Sequence, residues 1–205
     1  MAEARRERAD AVRNRKAILA ATEDLLTSHP PHQVSIERIA AAAGVGKGTV
    51  FHRFGSRTGL MVALMTERAT ALGEAVADGP PPLGPGAPPR ERLLAFLDAV
   101  FAVISRNKGL LATLGGEIPA AHGDADADGA CPRTSHPVYA AWHAHITALI
   151  TAERPGLDAS TLADILLSPL HSSVIIHDLQ RGEGPRVAAA VRVLVAAVLD
   201  APQEP

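Results

Sequence analysis

Apolar residues recur at helical spacing along most of this chain, and glycine and proline mark the places where the spacing breaks. The first stripe, Ile18, Thr22, Leu25 and Leu26, predicts a helix over residues 11–28, closed by His29-Pro30-Pro31-His32 because proline cannot continue a helix. Ser35 is an N-cap for a short helix in which Ile36, Ile39, Ala40 and Ala43 fall at i, i+3, i+4 and i+7. Gly44 closes that helix, and Val45 reads as a buried turn residue. A further short helix is expected from about 46 to 54, with Val50 and Phe54 on its inner face and Lys47, Thr49, Phe51, His52 and Arg53 outward. Ser56 then caps a helix over roughly 57–78, carrying Met61, Leu64, Met65, Leu72 and Val76 on one side.

Residues 79–89 are rich in glycine and proline and read as a semi-rigid connector. Beyond it the patterns remain helical. Leu93, Leu97, Val100, Phe101 and Ile104 form one stripe, and Leu110, Leu111 and Leu114 form a shorter one before Gly115-Gly116. Residues 119–136 read as a long loop rich in Gly, Asp and Ala. Helices follow over 137–153 (Tyr139, Trp142, His143, Ile146, Leu149, Ile150) and over 159–181, where Pro169 should kink or split the helix. The last helix, 186–200, carries Val187, Val191, Leu194, Val195, Val198 and Leu199. The pattern therefore predicts an all-α protein.

A short helix, a glycine turn and a second helix with a basic outer face make a helix-turn-helix, and such a second helix fits the DNA major groove. Charge supports this. Residues 1–60 hold ten Lys/Arg against six Asp/Glu, whereas the remainder holds ten against sixteen, so a basic amino-terminal part (+4) precedes an acidic body (−6). That asymmetry implies a local anionic partner. Arg5, Arg6 and Arg8 read either as an arm touching DNA or, more simply, as a solvated, frayed end.

At 205 residues, with 3% aromatics, the chain suits helix packing and is long enough to bury a real core. Its single cysteine, Cys131, cannot form an internal disulfide, which fits a reducing compartment. No apolar run reaches membrane length, since Asp164, His171 and Arg192 interrupt the best candidates, and the amino terminus lacks a signal core. A cytoplasmic protein is expected.

The blocks Arg15-Lys16-Ala17-Ile18-Leu19-Ala20-Ala21, Val34-Ser35-Ile36-Glu37-Arg38-Ile39-Ala40 and Ala43-Gly44-Val45-Gly46-Lys47-Gly48-Thr49-Val50-Phe51-His52-Arg53-Phe54-Gly55-Ser56-Arg57, with Leu60, resemble the DNA-binding domain of the TetR (tetracycline-repressor) family over about residues 12–64. The resemblance implies a three-helix helix-turn-helix domain at 1–58 and a helical effector-binding and dimerisation domain at 59–205. It also implies a homodimer formed by the last two helices, a palindromic operator in double-stranded DNA and a small, largely apolar effector. No cofactor and no metal are expected. The residues expected at the DNA are Ser35, Gly46, Lys47, Gly48, Thr49, Phe51, His52, Arg53 and Arg57. Thr49, Arg53 and Arg57 suit phosphate, while Lys47 and His52 suit base edges. Phe51 stands where the family usually has a tyrosine that contacts phosphate, so its ring would meet a thymine methyl or sugar instead.

Candidate effector-lining residues are Phe96, Val100, Phe101, Ile104, Leu111, Leu114, Trp142, His143, Leu166 and Leu170, each of which also reads as plain core. His143 in particular reads equally as a core histidine bonded to a carbonyl. His29 and His32 resemble a metal pair in spacing, but their proline-flanked loop reads as solvated, and His143/His145 or His171/His177/Asp178 are disfavoured because no pair has the i, i+4 spacing of a helical metal site. Gly46-Lys47-Gly48-Thr49 echoes a nucleotide-binding loop, but Ala41 stands where glycine is required and no strand precedes it. The leading function is a ligand-responsive repressor. The alternatives are a ligand-independent architectural DNA binder, or an enzyme with a DNA-binding module, for which Asp164, His171 and Asp178 are the available acid/base set.

Overall fold

The computed structural model describes residues 2–113 and 137–201. Its α-helices run α1 (Ala2–Ser28), α2 (Ile36–Ala42), α3 (Lys47–Phe54), α4 (Arg57–Asp78), α5 (Pro89–Thr113), α6 (Pro137–Glu153), α7 (Ala159–Leu167), α8 (Ser173–Gln180) and α9 (Gly184–Asp200). Short 3-10 turns occupy Pro31–Gln33 and Ser168–His171, and no strand occurs among the described residues. The expected loop at 119–136 lies outside the described residues. Chain contacts divide the molecule into two compact units, the first holding Met1–Arg68 and the second Ala69–Gly109 together with the helices after residue 136.

The helix ends follow from local chemistry. Ser35 Oγ accepts from the Arg38 amide at 3.3 Å, Asp158 from Thr161 at 3.1 Å and Ser172 from Ile175 at 3.4 Å. Each side chain satisfies an amide that the first turn leaves without a partner. Gly44 and Gly55 close α2 and α3 with φ of 66° and 72°, where a Cβ would be strained. Pro169 splits the 159–181 stretch into α7, a 3-10 turn and α8, as its ring dictates.

Two local expectations change. Helix α1 begins at Ala2 instead of near residue 11. The Ala, Glu and Arg residues of this stretch are strong helix formers, so the basic arm extends the helix instead of fraying. Val45 is half-buried, not buried.

In the first unit Ile18, Val34, Ile39, Val50 and Leu60 are almost completely buried, which uses the inner faces of α1 to α4. Each such side chain contributes about 1.5–3 kcal/mol of transfer free energy. Thr22 is buried too and donates its hydroxyl to the Ile18 carbonyl at 2.7 Å. Arg68, buried on α4, pairs with Glu23 of α1 at 2.9 Å. The second unit is built on a continuous apolar core that includes Leu72, Phe96, Val100, Trp142, Ile146, Leu166 and Val191. Its helix ends are tied by Arg90, which reaches Glu153 at 3.2 Å and Asp200 at 2.6 Å. Arg154 donates to the Leu199 and Ala201 carbonyls, so the carboxy-terminal end of α9 is fixed to α6.

Candidate nucleic-acid interface

The site is built by α2, a glycine turn and α3. Packing of Ile36 and Ile39 against the head fixes α2, while Val50 and Phe54 bury the inner face of α3. An eight-residue helix pinned on one side has only its other side to offer. That side carries Lys47, Gly48, Phe51, His52 and Arg53, all exposed, with Thr49 half-buried beside them. Gly46 is the N-cap of α3 and supplies no side-chain cap. The first turn thus presents its positive dipole end without a protein group bonded from the capping side chain.

Lys47 donates to the Glu37 carboxylate of α2, and its ammonium lies 5.8 Å from the centre of the Phe51 ring. The Lys47 hydrogen bond is the main cause that lowers the Glu37 carboxyl to about 2, with the Glu37 backbone amide and Ser35 adding to it. Both partners are more than half exposed. Ser35, expected at the DNA, is engaged as the α2 cap.

Arg57 was expected to meet phosphate. Its guanidinium instead turns inward, with Nη2 donating to the Pro31 carbonyl at 2.6 Å and Nε to the Val34 carbonyl at 3.4 Å. It fastens the turn between α1 and α2 to the start of α4. Arg38 has a similar role, donating to the Gln33 carbonyl at 3.2 Å and lying 2.8 Å from His29 Nε2. His29 Nδ1 lies 3.2 Å from the Leu25 carbonyl. Arg15 covers Phe54 from 5.2 Å. Glu37 and Arg38 are therefore parts of the site that the sequence pattern did not single out, since both contacts cross a turn instead of following a helical period.

Gly48 is distinctive. A Cβ added there would meet nothing within 4 Å, so no packing in this chain requires glycine in the first turn of α3. Glycine costs about 1 kcal/mol against alanine in a helix interior and less in a first turn, whose amides have no intrahelical partner.

The helix-turn-helix has a counterpart among known proteins. Residues 18–64 match the family model described as bacterial regulatory proteins, tetR family. Over this stretch the chain is similar to the TetR family. The TetR match covers α2, α3 and the interface just described. No curated protein matches the sequence. Among solved structures, a TetR-family transcriptional regulator from Rhodococcus sp. is 18% identical, with a TM-score of 0.56, over 92% of this chain and 100% of that one. A TetR transcriptional regulator from Streptomyces coelicolor is 24% identical, with a TM-score of 0.57, over 91% and 96%. At such identities the likeness concerns the fold, which extends through the body helices. Both of these structures are named as transcriptional regulators.

In the body, the expected effector-lining residues Phe96, Val100, Phe101, Trp142, Leu166 and Leu170 are buried in one core, with Ile104 packed at its edge. Leu166 also lines an apolar cavity of about 170 Å³ with Leu93, Ile150, Val195 and Leu199. His143 is half-buried, with Nε2 3.2 Å from the Ser160 carbonyl and 3.4 Å from Asp164. Tyr139 stacks on it at 6.5 Å. Leu114 and the side chain of Leu111 lie outside the described residues. Among the described residues, no three His, Cys, Asp or Glu side chains gather where they could hold a metal, and no helix is long and apolar enough to cross a membrane.

Proposed function

We propose that this regulator is a cytoplasmic, ligand-responsive repressor that binds a palindromic operator as a homodimer. The observation that carries the reading is the apolar surface of the last helices. Val174 on α8 is 68% exposed, and Val193 and Leu194 on α9 are 71% and 45% exposed. Helix α9 buries Val187, Val191, Val195 and Leu199 on one face, yet its other face is again largely alanine and valine. A helix apolar on both faces needs a second partner. A second copy of the chain supplies it by twofold symmetry and sets two α3 helices on one duplex.

In this reading Lys47 and His52 reach base edges, Thr49 and Arg53 contact phosphate, and Phe51 meets a thymine methyl. Gly46 and Gly48 let the α3 backbone approach the sugar-phosphate wall, and Ser35 and Arg57 hold the frame. Selection of bound sequences from random DNA, followed by gel-shift titration, tests it. The expected result is an inverted repeat bound by two chains, preferred over random DNA by about a thousandfold or more. Binding without sequence preference would mark an architectural DNA binder and overturn the proposal.

A further inference from the structure

Arg92 of α5 and His145 of α6 share a cleft of about 450 Å³, walled by Val76, Pro85, Leu149 and several alanines. Arg92 and His145 are the only ionisable side chains among the described residues that line it, on α4, the connector, α5 and α6 alike. Arg92 Nη2 donates to the Val76 carbonyl at 3.3 Å. Arg92 Nε and His145 Nε2, however, are both shut away from solvent without a hydrogen-bond partner. The His145 ring meets the edge of Phe96 at 4.7 Å, which fixes its plane. Burial first, and the Arg92 charge second, push the imidazole below its usual range.

Buried polar nitrogens are normally paired. Two side chains that line one cleft, a guanidinium and an imidazole, each with a buried nitrogen left unpaired beside it, point to a missing acceptor. We propose that the Arg92–His145 cleft binds the carboxylate of a small organic acid, whose apolar body lies along Leu149 and the alanine and proline walls. One guanidinium balances one carboxylate, whereas a phosphate monoester carries about −1.5 to −2. The carboxylate favours the charged imidazole, so His145 gains proton affinity when the acid binds. An anion on the Arg92 fork also competes with the Val76 carbonyl. Val76 lies near the end of α4, the helix that follows α3 in the chain. That the acid serves as effector rests on the repressor reading, but its binding does not.

Calorimetric titration of the full chain, without DNA, separates the two. Hexanoate is the probe, with hexanamide and inorganic phosphate as comparisons. Hexanoate should bind, and hexanamide should bind about tenfold or more weakly because it lacks the charge-assisted bonds. Phosphate should be weaker than hexanoate. Arg92→Gln and His145→Gln should each weaken hexanoate by a similar factor. In the unmodified chain, hexanoate should raise the His145 pKa read by NMR, which tests the site even if a variant fails to fold. Absence of hexanoate binding, equal binding of acid and amide, tighter binding of phosphate, unchanged affinity in both variants or an unmoved His145 titration would each overturn the assignment.

Discussion

Glu37 in the first turn of α2 holds Lys47 at the first position of α3, across the glycine turn that separates the two helices. The pair joins the frame of the DNA-binding head to a side chain proposed to read bases. It also lowers the Glu37 carboxyl from 4.5 to about 2. Because the folded value lies below the unfolded one, whatever stability the pair adds is present above pH 4.5 and fades as pH falls toward 2. NMR titration should place the Glu37 midpoint near 2, and Lys47→Ala should return it toward 4.5. A midpoint near 4.5 in the unmodified chain would show that the pair does not persist in solution.

Gly48→Ala separates stability from binding. With open space around the new methyl in the first turn of α3, the head should gain up to about 0.5 kcal/mol in denaturant unfolding. The same methyl lies on the face offered to DNA, so operator affinity should fall while stability rises. Unchanged affinity would remove Gly48 from the contact surface.

Arg57→Ala should act on the scaffold. It deletes two bonds from a charged donor to the Pro31 and Val34 carbonyls, which predicts a loss of about 1.5–3 kcal/mol and a lower Tm by circular dichroism. The slope of log affinity against log salt should stay near that of the unmodified protein, whereas loss of a phosphate contact would reduce it by about 1. Arg53→Ala, on the exposed face, should show the opposite pattern.

Val193→Glu tests the pairing surface. Val193 is 71% exposed in the single chain, so the substitution should leave the fold of one chain intact. A charge at the centre of a paired apolar face has no partner, and sedimentation should then report a monomer with weakened operator binding. A dimer of unchanged affinity would place the interface elsewhere.

Much of this architecture was legible in the chain because helical periodicity carries it. The 57–78 and 137–153 helices match α4 and α6, and the disruption expected at Pro169 occurs there. The start of α1 was misread because the general tendency of termini to fray was set against a strongly helix-forming sequence, and the propensity won. The outward row of α3 was readable from Val50 and Phe54 alone. The inward turn of Arg57 was not, since its partners are carbonyls 23 and 26 positions earlier and carbonyls leave no mark in sequence. Arg92 and His145 were equally hidden, as they lie on different helices and no spacing rule joins them.

Tyr139 and Trp142, the sole tyrosine and the sole tryptophan of the chain, both lie on α6 in the second unit. Absorbance at about 280 nm and tyrosine and tryptophan emission therefore report on the body alone, since the aromatic rings of the head are those of Phe51 and Phe54. Ellipticity at 222 nm sums over both. Melting the same sample with both signals distinguishes a head that unravels before the body from a molecule that unfolds in one step, without a label or a truncation.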